Sequence, residues 1–397
     1  MAKKIRIKER IIEGLIYISG TSTTIAVLLI VFFIFKEGSG LFFMPPLEEG
    51  YVIAIHPQNP VKELSEKEIK SIFNKDIVNW KDLNGKPEKI LTFVPDDIEL
   101  VFKPEDLGTD FVLLKDKMET YALSNPNIIL AMPERYVGNA LKRIPIDKIG
   151  LGSFLFDKDW FPTSIPLHSF GIWAIILGTL WVCVGALLFA IPAGIIAAIY
   201  MAEIANPRFR NIISPFIELL AGIPSVIYGF FGLVVIVPMI QRTFQLPAGE
   251  TALAGSILLG IIALPTIITI AEDAIRATPR ELKEASFALG ATHWQTIYKV
   301  VVPYSISGIV SACILGVGRT VGETMAVLMV TGNAAQIPNS FLSSVRTITA
   351  TVAAELGEAP QGGIHYKALF MLASILFIIT FLLNLVADRI ASRSARK

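Results

Sequence analysis

Six apolar runs are set apart by polar segments along the chain, near 12–36, 170–204, 211–240, 252–275, 304–331 and 367–388. A run of about 20 such residues crosses a hydrocarbon core as a helix, because lipid offers backbone groups no hydrogen-bonding partner. The pattern therefore predicts six transmembrane helices, the second long enough to tilt or to bend at Pro192. Basic residues mark one side of this array. Lys3, Lys4, Arg6, Lys8 and Arg10 precede the first run, and Arg208 and Arg210 follow the second. Arg276, Arg280, Lys283 and Lys299 lie between the fourth and fifth, and Arg389, Arg393, Arg396 and Lys397 follow the sixth. Alternating sides puts all these groups in the cytoplasm, together with both termini. The first apolar run is long and lacks a small-residue cleavage site, so it reads as a retained span rather than a signal peptide.

Residues 37–168 break the pattern. They hold 21 of the chain's 34 acidic residues against 15 basic ones. The stretches YVIAI and KILTFV read as strands, and SEKEIKSIF opens with a capping-box pattern, Ser65 to Glu68, ahead of a helix bearing Ile69, Ile72 and Phe73. IILAM followed by PERYVGNALKRI reads as a second strand-then-helix pair. The expectation is an all-α membrane protein with an extracytoplasmic α/β insertion. Its parts are the N-terminus and first helix (1–36), the insert (37–168) and a helical core (169–397) with a cytoplasmic loop at 276–303.

Composition agrees with a membrane protein. The 397 residues are 53% hydrophobic and only 17% charged, where soluble chains carry about a quarter, and mean hydropathy is +0.60. A net charge of +1 without any basic run gives nucleic acid no footing. Cys183 and Cys313 sit inside apolar segments, so no disulfide framework is implied. There is no phosphate-binding GxxxxGK[ST] loop, no clustered metal ligands and no nucleophile–base arrangement. The chain is thus expected to be no enzyme, and to need no cofactor and no metal. A membrane enzyme is disfavoured on the same ground.

The loop TPRELKEASFALGATHWQTIYKVVVP carries two short helical patterns on either side of Gly290, with Pro303 opening the next span. Physically it is an amphipathic elbow able to enter a cleft of a soluble partner and to carry rigid-body motion to the spans. Read on periodicity alone, it is as well explained as an ordinary charged connection. Glu284-Ala285-Ser286, Gly290 and Val300-Val301-Val302-Pro303 resemble the EAA loop of ABC-importer permeases, with Ser286 in place of the third alanine. The resemblance implies docking onto a separate ATP-binding subunit.

The stretch GVGRTVGETMAVLMVTGN places Arg319 and Glu323 inside the fifth run, four residues apart and hence on one helix face. Arg319 falls about 24 Å along the helix from Pro303, near mid-membrane. An ionisable group at that depth costs at least ~2.5–3.5 kcal/mol and faces a bundle interior or an aqueous cavity. Gly318 and Gly322 would let another helix approach closely. Arg offers a planar fork to a tetrahedral oxyanion. A carboxylate such as Glu323 could accept a hydrogen bond from an oxyanion that keeps a proton at neutral pH and would repel a fully ionised one. The competing explanation is that the two charges simply neutralise each other along one helix. Glu218 reads as structural within the third span, Gly222 and Pro224 as a bend or break in that helix, and Glu272 and Asp273 as solvated. His293 is a lone histidine on the elbow.

IELLAGIPSVIYGFFGL, ATHWQTIYKVVVPYSISGIVSACILG and GRTVGETMAVLMVTGN are similar to the PstC-type permease subunit of phosphate ABC importers. Its PstA-type sister usually has a different, proline-containing stretch after the shared GR…GET core. The insert is similar to part of the periplasmic phosphate-binding proteins. It matches at Asn59-Pro60-Val61, Leu64-Ser65, Ile72-Phe73, Ile77, Asn79 and Trp80, with Lys75 where that family has glycine. Leu107-Gly108-Thr109 is the nearest candidate for that family's phosphate-holding Ser-Gly-Thr.

Together the resemblances imply six spans with a MetI-like core in the cytoplasmic membrane, importing inorganic phosphate. The partners they imply are a homologous PstA-like permease, two PstB-like ATP-binding subunits and a PstS-like binding protein. The insert would dock that binding protein, gate the outer mouth, bind an anion weakly or be inert. The rivals are a permease for sulfate, molybdate or phosphonate, and a membrane phosphate sensor.

Overall fold

In the computed structural model, residues 2–394 are described except Glu49, Pro104, Asp106, Thr109 and Asp110, with only the backbone at 2–11, 387–388 and 390–394. Thr109 therefore lies outside the described residues. The chain divides into two compact units, Met1–Gly171 with Ala359–Met371, and Ile172–Glu358 with Leu372–Lys397.

The first unit opens with the long helix α1 (Ala2–Ser39). A sheet domain follows, comprising β1 (Tyr51–Ile55), α2 (Glu66–Phe73), β2 (Leu91–Phe93), α3 (Ile98–Val101), α4 (Leu114–Ser124), β3 (Ile128–Pro133), β4 (Lys142–Ile144) and α5 (Leu151–Phe156). A small hairpin, β5 (Trp160–Phe161) with β6 (Ser169–Phe170), follows it. The main sheet has the order β2-β3-β1-β4, with β2 and β3 parallel and the other pairs antiparallel.

Both faces of this sheet are buried, and strand alternation assigns each residue to a side. Ile53 and Ile55 join Ile129, Ala131 and Ile144 on one face, under Ile69 and Ile72 of α2. Ala54, Ile128, Leu130 and Met132 occupy the other, under Leu114, Met118 and Ala122 of α4. The capping box forms as the sequence requires: Ser65 Oγ accepts the Glu68 N–H and Glu68 Oε2 accepts the Ser65 N–H at 2.8 Å.

One expectation fails here. PERYVGNALKRI is no helix; it forms a short turn over Glu134–Tyr136 and then the strand β4. Pairing with β1 claims Lys142–Ile144 and overrides the local helical spacing. The covering helix is instead α4, whose polar sequence hides a narrow apolar stripe. Lys75 stands at φ 66°, in the left-handed region that favours the glycine the resemblance has at this position.

In the second unit, α6 (Trp173–Ile199) runs into a π-helical turn at Tyr200–Ile204. After it come α7 (Pro207–Gly222), α8 (Ser225–Phe231), a π-helical turn at Gly232–Ile236 and α9 (Val237–Phe244). The central helix is α10 (Ala252–Arg276), followed by α11 (Arg280–Ala288), α12 (His293–Thr296), a π-helical turn at Ile297–Val301 and α13 (Val302–Gly322). Then come α14 (Met325–Val330), α15 (Ile348–Glu355) and α16 (Ile364–Ser394), which the first unit shares as far as Met371.

Among the described residues six helical stretches are long and apolar enough to cross a membrane: Ile12–Phe43, Trp173–Ile204, Ser225–Phe244, Ala252–Arg276, His293–Gly322 and Ile364–Val386. The number is as expected but two boundaries are not. The third stretch begins at Ser225, because the chain is extended at Ile223 and Pro224 and α7 is a separate helix. Glu218 is therefore an exposed residue of α7 and not part of that span. The fifth begins ten residues before Pro303, at His293, and stops at Gly322. Helix packing around α10 depends on small residues, as in other membrane bundles. A Cβ at Gly194 of α6 would lie 2.6 Å from Ile267, and one at Gly260 would lie 2.8 Å from Phe189. The start of α10 is closed by the 340s loop, whose Phe341 and Ser343 carbonyls accept the N–H groups of Leu253 and Ala252.

His168 is buried beside Phe170, and its Nδ1 has no partner among the described residues. Burial, and then the nearby His365, lower its pKa below the ordinary 6.5, while Lys70 adds a smaller push the same way. A neutral histidine in the fold that protonates more readily when unfolded makes stability rise with pH in that window. The stabilisation is complete above pH 6.5 and is lost as pH falls towards the folded-state value. Amide exchange over 160–170 should therefore quicken below that pH, and His168→Leu should flatten the dependence.

Candidate functional site

Two helices are interrupted within the second unit, and the interruptions meet at Arg319. The first lies between α7 and α8, where Ile223 is extended and Pro224 caps α8. A helix end leaves carbonyls without donors. Here side chains supply them: Tyr228 Oη donates to the Leu220 carbonyl at 2.7 Å, and Arg319 Nη2 to the Ala221 carbonyl at 3.3 Å. A cation at a helix C-terminus also faces the negative end of the peptide dipoles. Arg319 Nη1 donates to Thr266 Oγ1 of α10 at 2.8 Å.

The second interruption lies between α13 and α14. Glu323 is extended (φ −70°, ψ 133°), so Arg319 and Glu323 do not share a helix face as their spacing predicts. Among the described residues Arg319 pairs with no carboxylate, and an intrahelical charge pair does not account for it. Glu323 Oε1 accepts the Thr324 N–H at 3.1 Å, and its own carbonyl accepts Thr349 Oγ1 at 2.8 Å. The break opens onto a groove of about 550 Å³ lined by Gly322, Thr324, Thr349, Leu356 and Leu376.

Gly318 and Gly322 meet nothing within 4 Å where a Cβ would stand. The close intrachain approach falls instead at Gly316, whose Cβ position is 2.7 Å from Ile267. The arrangement can present a guanidinium with spare N–H groups and a half-exposed carboxylate from two helix breaks.

The elbow at 280–301 is a separate site. Gly290 sits at φ 80°, a conformation other residues rarely adopt, and turns the chain between α11 and α12. Thr292 and Gln295 form a reciprocal capping box that starts α12. Ser286 Oγ lies 2.9 Å from Thr296 Oγ1 and ties the two arms, which gives the serine that replaces an alanine a structural task. The Phe287 and His293 rings stack across the bend. Glu284, Ala285 and Gly290 are exposed, and Leu289 and Trp294 present apolar surface, Leu289 being 90% exposed. Lys283 donates to Glu203 in the π-helical turn after α6, an ion pair that sequence spacing gave no means to find.

Glu272 was expected in water but is buried, between Arg210 at 3.6 Å and Arg276 at 3.9 Å. Thr266 is likewise not legible in the sequence. A threonine in an apolar helix carries no signal until its neighbour is known.

Residues 190–397 match the family described as binding-protein-dependent transport system inner membrane component. The probable ABC transporter permease protein YqgH of Bacillus subtilis is 40% identical, over 60% of this chain and 77% of the relative. The phosphate transport system permease protein PstC of Mesorhizobium japonicum is 38% identical, over 59% and 76%. Among solved structures, the inward-facing MetNI methionine ABC transporter covers 56% of this chain and 97% of its own at 20% identity and a TM-score of 0.45. A putative phosphate ABC transporter substrate-binding protein with bound phosphate, from Clostridium perfringens, covers 27% and 49% at 25% identity and a TM-score of 0.20. With more than half of its length inside the family match, this multi-pass chain belongs to the inner-membrane permeases of binding-protein-dependent ABC transporters.

Proposed function

We propose that this chain is a permease subunit of an ATP-driven importer that passes inorganic phosphate through the cytoplasmic membrane, with Arg319 as the anion's ligand in the path. The observation that carries the reading is a guanidinium in an apolar helix with no carboxylate partner among the described residues, held at the meeting of two broken helices. An ionised group there is costly unless it serves an aqueous path, and interrupted helices line substrate sites in transporters. The permease relatives that transport phosphate support the substrate. Glu323, half-exposed at the second break, is the acceptor for phosphate's remaining proton and the group that repels sulfate.

The remaining parts follow from this reading. A PstA-like sister subunit completes the path and meets Gly318 and Gly322. ATP is hydrolysed on a pair of separate PstB-like subunits, which dock on Glu284, Ala285 and Ser286 around Gly290. Both termini are cytoplasmic, as the basic residues require. The insert at 37–168 receives a PstS-like binding protein or gates the outer mouth, and the core at 169–397 carries the path.

Labelled-phosphate uptake into vesicles holding the full complex tests the reading. Uptake should require ATP and resist excess sulfate, and Arg319→Gln should lose it by about tenfold or more, the scale of one hydrogen bond to a charged group. Normal transport by that variant would remove Arg319 from the path, and inhibition by sulfate would remove phosphate as the substrate. Glu323→Gln should instead admit sulfate as a competitor. At the elbow, Gly290→Ala should strain the turn by roughly 1–2 kcal/mol and reduce the ATP-binding subunit recovered with the complex, leaving the amount of permease in the membrane unchanged.

A further inference from the structure

We infer that Thr266 is the positioning residue for Arg319 and adds a second, uncharged donor to the same anion site. The inference rests on the proposed role of Arg319 and extends it to a second helix.

Serines and threonines inside the apolar helices of this unit usually turn their hydroxyl back onto their own backbone. Thr179 donates to Ile175, Ser256 to Ala252, Ser305 to Val301 and Thr320 to Gly316, each four residues earlier. That return bond disposes of the polar group without a partner from elsewhere. Thr266 departs from the habit. Its oxygen accepts Arg319 Nη1 at 2.8 Å, and its own hydrogen has no acceptor among the described residues. A hydroxyl can accept and donate at once, so the spare hydrogen is available to whatever lies beside the guanidinium.

The anchor is rigid. Ile267, the next residue, fills the space left by two glycines, standing 2.6 Å from the Cβ position of Gly194 in α6 and 2.7 Å from that of Gly316 in α13. This wedge fixes α10 against both helices where Thr266 emerges. Arg319's other bond is of a different kind. The Ala221 carbonyl is exposed, at a helix end, and at 3.3 Å the bond is long. An arriving oxyanion displaces that carbonyl while the Thr266 bond holds the fork in place. Ligands held in position by a neighbour bind without first being ordered.

The experiment uses vesicles containing the whole importer, with phosphate uptake and ATP hydrolysis measured together per assembled complex. Thr266→Val keeps the shape and deletes the hydroxyl, and Thr266→Ser restores it. Phosphate moved per ATP hydrolysed should fall about tenfold in the valine variant and recover most of its value in the serine variant. Three results would overturn the inference: native uptake by the valine variant, a serine variant as impaired as the valine one, or uptake and ATP hydrolysis falling in parallel. Should Thr266→Val fail to assemble, Thr266→Ala takes its place. Failure of both with normal assembly of the serine variant would make the hydroxyl a structural bond only and end the proposal. Arg319→Gln, run beside them, separates the two ideas. If it transports normally, the reading of Arg319 is wrong; if it is impaired while Thr266→Val is normal, only the role given to Thr266 falls.

Discussion

A helix that ends against an apolar bundle leaves carbonyls without donors, and each one buried without a partner costs several kcal/mol. The core of this protein is arranged around that constraint. Its two breaks fall next to each other in space, and the groups they expose are met by Tyr228, Arg319 and Thr349 from neighbouring elements. The result is a polar junction inside an apolar bundle, built from backbone carbonyls as much as from side chains. The charge of Arg319 is tolerable there because the end of α7 offers it a partner. The break in α7 is tolerable in turn because Arg319 and Tyr228 close it. Neither feature is explained without the other.

The sequence made the large pattern visible. Hydrophobic run length is a one-dimensional property, so six crossings and their number could be read directly. The Ser65–Glu68 capping box and the turn at Gly290 are local as well, each decided by residues within a few positions. What stayed hidden depended on residues far apart. Glu323 and Arg319 are four apart, yet the extended backbone at Glu323 cancels the spacing rule, and apolar flanks such as AVLMV give no warning of it. The pairing of Lys142–Ile144 with β1 spans some 90 residues, and only that pairing turns a helical pattern into a strand. Glu272 has the sequence position of a solvated residue at a helix end, and only Arg210, brought from another helix, accounts for its burial.

The elbow shows how a local motif acquires a mechanical context. Gly290 sets the bend and Thr292 restarts the helix, but Ser286 and Thr296 lock the angle between the arms. Lys283 then fastens the elbow to Glu203 at the end of α6, a helix that packs along α10 over most of its length. The elbow is thus joined to α6 as well as to the helix that continues from α12 towards Arg319.

That continuing helix contains a π-helical turn, at Ile297–Val301. Such a turn holds one residue more than the α-helical repeat would use. One residue corresponds to about 100° of azimuth, so the turn acts as a phase setter between the elbow and the rest of α13. Packing at Gly316 holds α13 against α10, so deleting a single residue within the turn would leave every hydrophobic run intact yet turn the elbow by about that angle relative to α13. In this stretch the reading frame of the helix, more than its composition, sets how the elbow is aimed.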